Sequence, residues 1–369
     1  MSPLPVLNLQ LQRTNPILFS KQLVSACHKI GFFLLEHDLP DFVCHRALNE
    51  ASLFFQKPLD QKMSIYYGTQ PSFRGYMPLG VENTEGKIDG REQIEYAAEY
   101  GKWKKNSENS STEENRTYHR LRVSENPWPD QIQPTLRPAI NDYVDGVLAI
   151  GDQLRDALCL GMGIDPSRIS NAMFRKTSGD EEEPNFWSMK LVSYPPPVSN
   201  SNTNKKNTSD SEFGVGAHAD SNFLTMILQD DTNSGLQVQS IDGKWIDVPP
   251  TPSNVLICNI GELAQIFSGG YLLATPHRVL RPHHGRRISL PIFYNPKLDH
   301  VMESMVDPKD LVWDRKGQNQ WLRKENALMG SVGENSLKSL SRSHPEVFKR
   351  HHPDLEILSD GRIQLKKNI

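Results

Sequence analysis

Along this 369-residue chain the apolar positions recur in two periods, and the switch between them outlines the fold. PVLNLQ near the start alternates as a short strand. Residues 19–30 then place Leu23, Val24, Cys27 and Ile30 at helical spacing, and Gly31 ends that helix. FFLLEH follows as a continuous apolar run, the pattern of a buried strand. Asp41, after Pro40, is placed to cap a helix whose apolar face includes Val43, Leu48, Leu53, Phe54 and Phe55, and Pro58 closes it. A turn and short strand are expected over 72–80. From 136 to 162 the residues Ile140, Val144, Val147, Leu154 and Leu158 predict a long helix on the outside of a sheet, stopped by Gly161 and Gly163.

Beyond that helix the period becomes two. NFWSMKLVSYPPP puts Met189, Leu191 and Ser193 on one side of a strand and Lys190, Val192 and Tyr194 on the other. Short strands are predicted at 223–229, 236–240, 245–248, 255–260, 278–281 and 288–294, separated by turn signals such as DTNSG and DG. Strands this short and evenly spaced predict a two-sheet jelly roll in a mainly β, α+β fold with flanking helices. Two polar runs, 102–117 and 199–212, offer almost nothing to bury and are expected to be exposed loops. The chain divides into residues 1–125, a helical segment 126–185, a β core 186–300, and a partly helical extension 301–369.

Composition narrows the function classes. A formal net charge of -3 provides no basic face for nucleic acid, so a small-molecule substrate fits better. Cys27, Cys44, Cys159 and Cys258 lie in apolar surroundings without C-x-x-C spacing, as reduced core residues do. MSPLPVLNLQLQ lacks the layout of a secretory peptide, and no apolar run is long enough to cross a bilayer. A soluble, cytoplasmic monomer is expected.

The chemistry is concentrated between Gly214 and Asn295. His218 and Asp220 are separated by one residue, so a strand would point both to one face, and His277 supplies a third arm. Two neutral imidazoles and a carboxylate on one side of an ion leave its other positions open, the arrangement typical of non-haem Fe(II) oxygenases. Arg287 and Ser289 form another i, i+2 pair. A planar guanidinium beside a hydroxyl can anchor the far carboxylate of a diacid that chelates the metal. H-x-D alone is common, so the weight rests on all five positions in order. Asn222, two residues beyond Asp220, is expected on the same strand face, and Phe293 and Tyr294 are expected in the pocket wall. His344, His351 and His352 lack partners at useful spacing and read as a solvated face, and His283 and His284 as a hairpin loop.

The ordered string His218-x-Asp220, His277, Arg287-x-Ser289, with AHADSNFLTMILQD, NVLICNIGELAQIFSGG and TPHRV around it, resembles the 2-oxoglutarate- and Fe(II)-dependent dioxygenases. The branch is the one that includes isopenicillin N synthase, gibberellin oxidases and flavonoid oxidases, and the GFF opening agrees with it. This resemblance implies a distorted double-stranded β-helix, Fe(II) as cofactor, 2-oxoglutarate and O2 as cosubstrates, and ascorbate as a candidate reductant. Tyr194 matches by position the tyrosine that bonds the metal-bound end of 2-oxoglutarate, while Val192 stands where the branch often has asparagine. The tract containing Arg74 and Tyr76 matches an R-G-Y segment, which implies that both reach the substrate side; the plainer alternative for Arg74 is a loop tie. The implied activity is oxidative decarboxylation of 2-oxoglutarate coupled to hydroxylation, desaturation or cyclisation of a small metabolite. An isopenicillin N synthase-like or ethylene-forming oxidase, and a non-catalytic binding protein on the same fold, remain as alternatives.

Overall fold

The computed structural model describes residues 3–84, 87–100, 117–122, 124–174, 185–197, 212–306, 331–359 and 361–366. The polar runs at 102–117 and 199–212 fall almost wholly outside these residues, as does 307–330. In chain order the main elements are β1 (Val6–Asn8), α1 (Pro16–Lys29), β2 (Phe32–Glu36), α2 (Asp41–Phe55), β3 (Gly75–Met77) and β4 (Glu92–Ala97). Then come α3 (Leu136–Gly161), β5 (Trp187–Tyr194), β6 (Phe213–His218), β7 (Leu224–Gln229), β8 (Leu236–Gln239) and β9 (Trp245–Asp247). The order ends with β10 (Val255–Ile260), α4 (Glu262–Phe267), β11 (His277–Leu280), β12 (Arg287–Tyr294), α5 (Val332–Ser343), α6 (Pro345–His351) and the hairpin β13 (Leu355–Ile357) with β14 (Ile363–Leu365).

Local chemistry sets the ends of these elements. Asn15 accepts a hydrogen bond from Leu18 N, and Pro16 opens α1 where its missing N–H costs nothing. Gly31 closes that helix at φ +71°, and a Cβ there would lie 2.1 Å from Leu273 O. Asp41 does not cap α2. It is the first helical residue, Pro40 occupies the cap, and the carboxylate acts through the helix dipole instead.

Eight strands form the larger sheet in the order β1-β2-β10-β7-β12-β5-β4-β3, and four form the smaller one, β9-β8-β11-β6. Four strands of the larger sheet come from the first hundred residues, so the amino-terminal region is hydrogen-bonded into the same sheet as the predicted core. Val192, Ile227 and Ile257 from the larger sheet pack with Val215, Val238 and Val279 from the smaller one, filling one end of the space between them. On the outer face of the larger sheet, α1 and α2 pack against α3, which buries Tyr143, Val147 and Leu154. Tyr143 donates to Leu290 O, pinning that helix to β12. The four cysteines are buried and unbridged, and burial pushes the Cys44 thiol up to about 11. No described helix is long and apolar enough to cross a membrane.

Candidate active site

The inward face of the larger sheet and the smaller sheet enclose a cavity of about 1090 Å³ that opens on one side and is closed on another by α5. Alternation decides which side chains reach it. On β12 Arg287, Ser289, Pro291 and Phe293 face inward, and on β5 Ser188, Lys190, Val192 and Tyr194 do.

His218, Asp220 and His277 converge within this cavity, each offering a ligand atom within 4.8 Å of the others. Their placement differs from the expected strand pair. β6 ends at His218, and Asp220 lies in the connection to β7. The backbone of that connection is held from the other side: Glu262 N donates to Asp220 O at 2.8 Å and Leu263 N to Asn222 O at 3.1 Å. Gly261 makes this contact possible, because a Cβ there would sit 2.0 Å from Asn222 O.

Each side chain of the triad is aimed by a second bond. His218 Nδ1 lies 2.9 Å from Gly216 O and His277 Nδ1 lies 3.1 Å from Thr275 O. A carbonyl accepts only, so each Nδ1 carries its proton and each Nε2 presents its lone pair. Asp220 Oδ2 accepts from Thr225 Oγ1 at 2.5 Å and Asn259 Nδ2 at 2.8 Å, while Oδ1 stands 3.6 Å from both imidazole Nε2 atoms. Burial opposes ionisation of Asp220, but the two imidazoles and these two donors outweigh it and hold the carboxyl below its usual range. His218 is pushed down to about 4, by burial first and by His277 next, so it is neutral at physiological pH. Two neutral imidazole nitrogens and one carboxylate oxygen fit a divalent iron ion.

At the other end of the cavity Arg287 is 1% exposed. Its Nη2 donates to Gln229 Oε1 at 2.7 Å, its Cζ sits 5.0 Å from the Tyr194 ring centre, and Nε and Nη1 have no hydrogen-bond partner among the described residues. A buried guanidinium with two unspent donors, beside the inward hydroxyl of Ser289, fits a carboxylate. Tyr194 is the register partner of Arg287. It therefore stands at the cationic end and not at the metal-bound end that the resemblance implied. Gly214 leaves room for its ring, since a Cβ would lie 2.4 Å from it. The basic run divides its work: Arg281 ties down Pro195 O and Pro196 O, Arg286 reaches Glu92 and Ser193, and Arg287 alone of the three faces inward between the sheets.

The substrate candidates separate. Phe293 lines the cavity, whereas Tyr294, one residue on, points to the helix layer and bonds Asp152 and Arg155. Tyr76 faces the opposite side of the sheet and donates to Glu92 Oε2 at 2.6 Å. Arg74 touches the cavity wall, but its terminal nitrogens are spent on Ser124 O, Ala98 O, Leu121 O and the Asn126 side chain, which is the loop tie. Asn222 borders the cavity with its amide turned to Thr225. His283 and His284 are exposed between β11 and β12 as expected. His344 and His352 are not a solvated face. His352 is buried on Pro71 O, and His344 is 1% exposed and lines the cavity between Glu82 and Glu95.

Thr225, Gln229, Asn259 and Glu95 escaped the sequence reading. Three of them are polar residues inside the apolar strands LTMILQ and VLICNI, a signal in itself, because a buried polar group needs a partner there.

Residues 187–296 match the family profile of the 2OG-Fe(II) oxygenase superfamily, and residues 4–131 match that of the non-haem dioxygenase in morphine synthesis N-terminal region. A homoarginine-6-hydroxylase of Glycine max is 31% identical over 291 residues, covering 77% of this chain and 80% of its own. A 2-oxoglutarate-dependent dioxygenase of Dothideomycetidae sp. (strain 11243) is 27% identical over 376 residues, covering 98% and 95%. Among solved structures, a full-length Neurospora crassa protein in complex with alpha-KG superposes with a TM-score of 0.67 at 21% identity, covering 92% of this chain and 96% of that one.

Proposed function

Since this chain belongs to the 2-oxoglutarate- and Fe(II)-dependent oxygenase superfamily, we propose that His218, Asp220 and His277 hold its iron and that Arg287, Ser289 and Tyr194 hold the distal carboxylate of its 2-oxoglutarate. The chain is an oxidoreductase with Fe(II) as cofactor. When bound, iron and 2-oxoglutarate supply the oxidation: 2-oxoglutarate, O2 and a substrate C–H bond give succinate, CO2 and a C–OH bond. The observation that carries the assignment is the meeting, in one cavity, of two lone-pair-bearing Nε2 atoms and a singly free carboxylate oxygen with a buried guanidinium that has two unspent donors.

The protein's own part is positional. Gly216 O and Thr275 O hold the imidazole protons away from the metal, and Thr225 with Asn259 turns one Asp220 oxygen toward it. Gln229 and the Tyr194 ring hold the Arg287 guanidinium from one side, leaving Nε and Nη1 for a carboxylate. Phe293 and the lining of β4, β5 and α5 form the substrate wall. That wall carries Lys190 and Glu95, and several relatives are named as homoarginine-6-hydroxylases, which supports hydroxylation of a polar small molecule.

The test is anaerobic loading with Fe(II), then addition of 2-oxoglutarate and O2. Succinate formation should require 2-oxoglutarate, and His218→Ala should lose bound iron. Turnover without 2-oxoglutarate, or equal iron in both proteins, refutes the assignment.

A further inference from the structure

We infer that Lys190 and Glu95 form a head-group site for a free α-amino acid, with Lys190 Nζ receiving the carboxylate and Glu95 the ammonium, as the substrate-recognition part of the oxygenase site proposed above. The two residues are direct register partners on β5 and β4, and both side chains line the cavity. Their Nζ and Oε2 atoms stand 3.6 Å apart, beyond hydrogen-bond reach. Glu95 Oε2 is buried without a hydrogen bond, and Lys190 Nζ makes none among the described residues. An adjacent cation and anion that leave their bonding capacity unspent fit a ligand that carries both charges side by side.

The neighbouring groups narrow this further. Glu82 already accepts from Arg91 Nη2 at 2.9 Å and Gln93 Nε2 at 3.0 Å, one donor on each oxygen, so its charge is offset by Arg91 and not by a ligand. His344, brought in by the end of α5, closes the back of the site with its ring nitrogens 3.5 Å from Glu82 Oε1 and 3.6 Å from Glu95 Oε2. Against this pair a simple amine is repelled by Lys190 and a simple acid by Glu95. A zwitterion meets an opposite charge at each end, which gives selectivity by exclusion as well as attraction.

The register also sets the head-group site apart from the triad. Thr225, which bonds Asp220, shares a rung with Phe293 and Ser188, and Lys190 is one same-face step further along β5. Strand spacing puts Lys190 about 12 Å from Thr225 at the backbone.

The full chain, loaded anaerobically with Fe(II) and 2-oxoglutarate, is titrated calorimetrically with the proteinogenic α-amino acids and L-homoarginine, each beside its decarboxylated amine and its N-acetyl form. At least one free amino acid should bind, with both derivatives at least tenfold weaker. Glu95→Gln and Lys190→Met should each weaken that ligand at least tenfold while 2-oxoglutarate affinity on the same preparations moves less than twofold, which also reports that the variants fold. Binding of no free amino acid by a protein that still binds 2-oxoglutarate overturns the proposal and leaves the oxygenase reading standing. Derivatives that bind as tightly as the parent, or variants that leave its affinity unchanged, overturn it equally. Failure to bind 2-oxoglutarate at all overturns the oxygenase reading and the head-group site with it.

Discussion

Arg287→Met separates a ligand anchor from a structural arginine, because the two roles move stability in opposite directions. Methionine keeps much of the apolar stem, so packing along β12 changes little. In the free protein the change strands Gln229 Oε1, at about 1 kcal/mol, and loses the contact with the Tyr194 ring, at roughly 1 kcal/mol. Against this, it removes a guanidinium that is 1% exposed and has two unpartnered nitrogens, a burial that costs several kcal/mol in general. The free variant should therefore be at least as stable as the wild type within about 1 kcal/mol. Binding is affected the other way. Two charge-assisted bonds to a carboxylate contribute about 1.5 kcal/mol or more each, so 2-oxoglutarate should bind roughly 100-fold more weakly. Urea unfolding without ligand and at 100 times the wild-type Kd checks both halves: the wild type gains about 2.7 kcal/mol from the ligand and the variant almost none. A Kd for 2-oxoglutarate within threefold of wild type, or a free variant more than about 2 kcal/mol less stable, would refute the reasoning.

Removing a support of Asp220 should act on the metal: Asn259→Ala is expected to weaken Fe(II) binding about 10- to 100-fold by anaerobic titration, and unchanged affinity would show that Thr225 suffices alone. His218 titrates near 4 in the folded protein against 6.5 unfolded. Between these values the unfolded chain holds a proton that the folded one lacks, so apo stability is full above pH 6.5 and falls as pH drops toward 4. With a third of the side chain exposed the loss is discounted to about 1 kcal/mol, seen as a steeper pH slope of the urea midpoint than in His218→Gln; equal slopes would contradict it. Tyr294→Phe should lower stability by about 1–2 kcal/mol through its lost bonds to Asp152 and Arg155 and leave kcat/KM unchanged, and a substrate-dependent rise in KM would place it in the cavity after all.

Strand periodicity is legible on β5. Its alternation puts Lys190, Val192 and Tyr194 on one side, and all three line the cavity. The differences have two causes. Asn222 and Asp220 were placed on a strand, but the chain leaves β6 at His218 and turns, held by the start of α4 some forty residues on. Tyr76 and Tyr294 have the composition of pocket residues, yet pleat parity puts each on the outer face.

The sequence by itself pointed to the main element types and to the residues His218, Asp220, His277, Arg287 and Ser289 that meet in one cavity, because these are legible in residue chemistry and in an ordered spacing. Only the tertiary structure decided which donors aim the triad, which arginine of the basic run turns inward, and that His344 from the carboxy-terminal helix meets Glu95 across the cavity. Apart from the local bonds to Gly216, Thr225 and Thr275, those relations join residues tens to hundreds of positions apart. Contacts of that kind are set by sheet order and layer packing, to which no local pattern in the chain is sensitive.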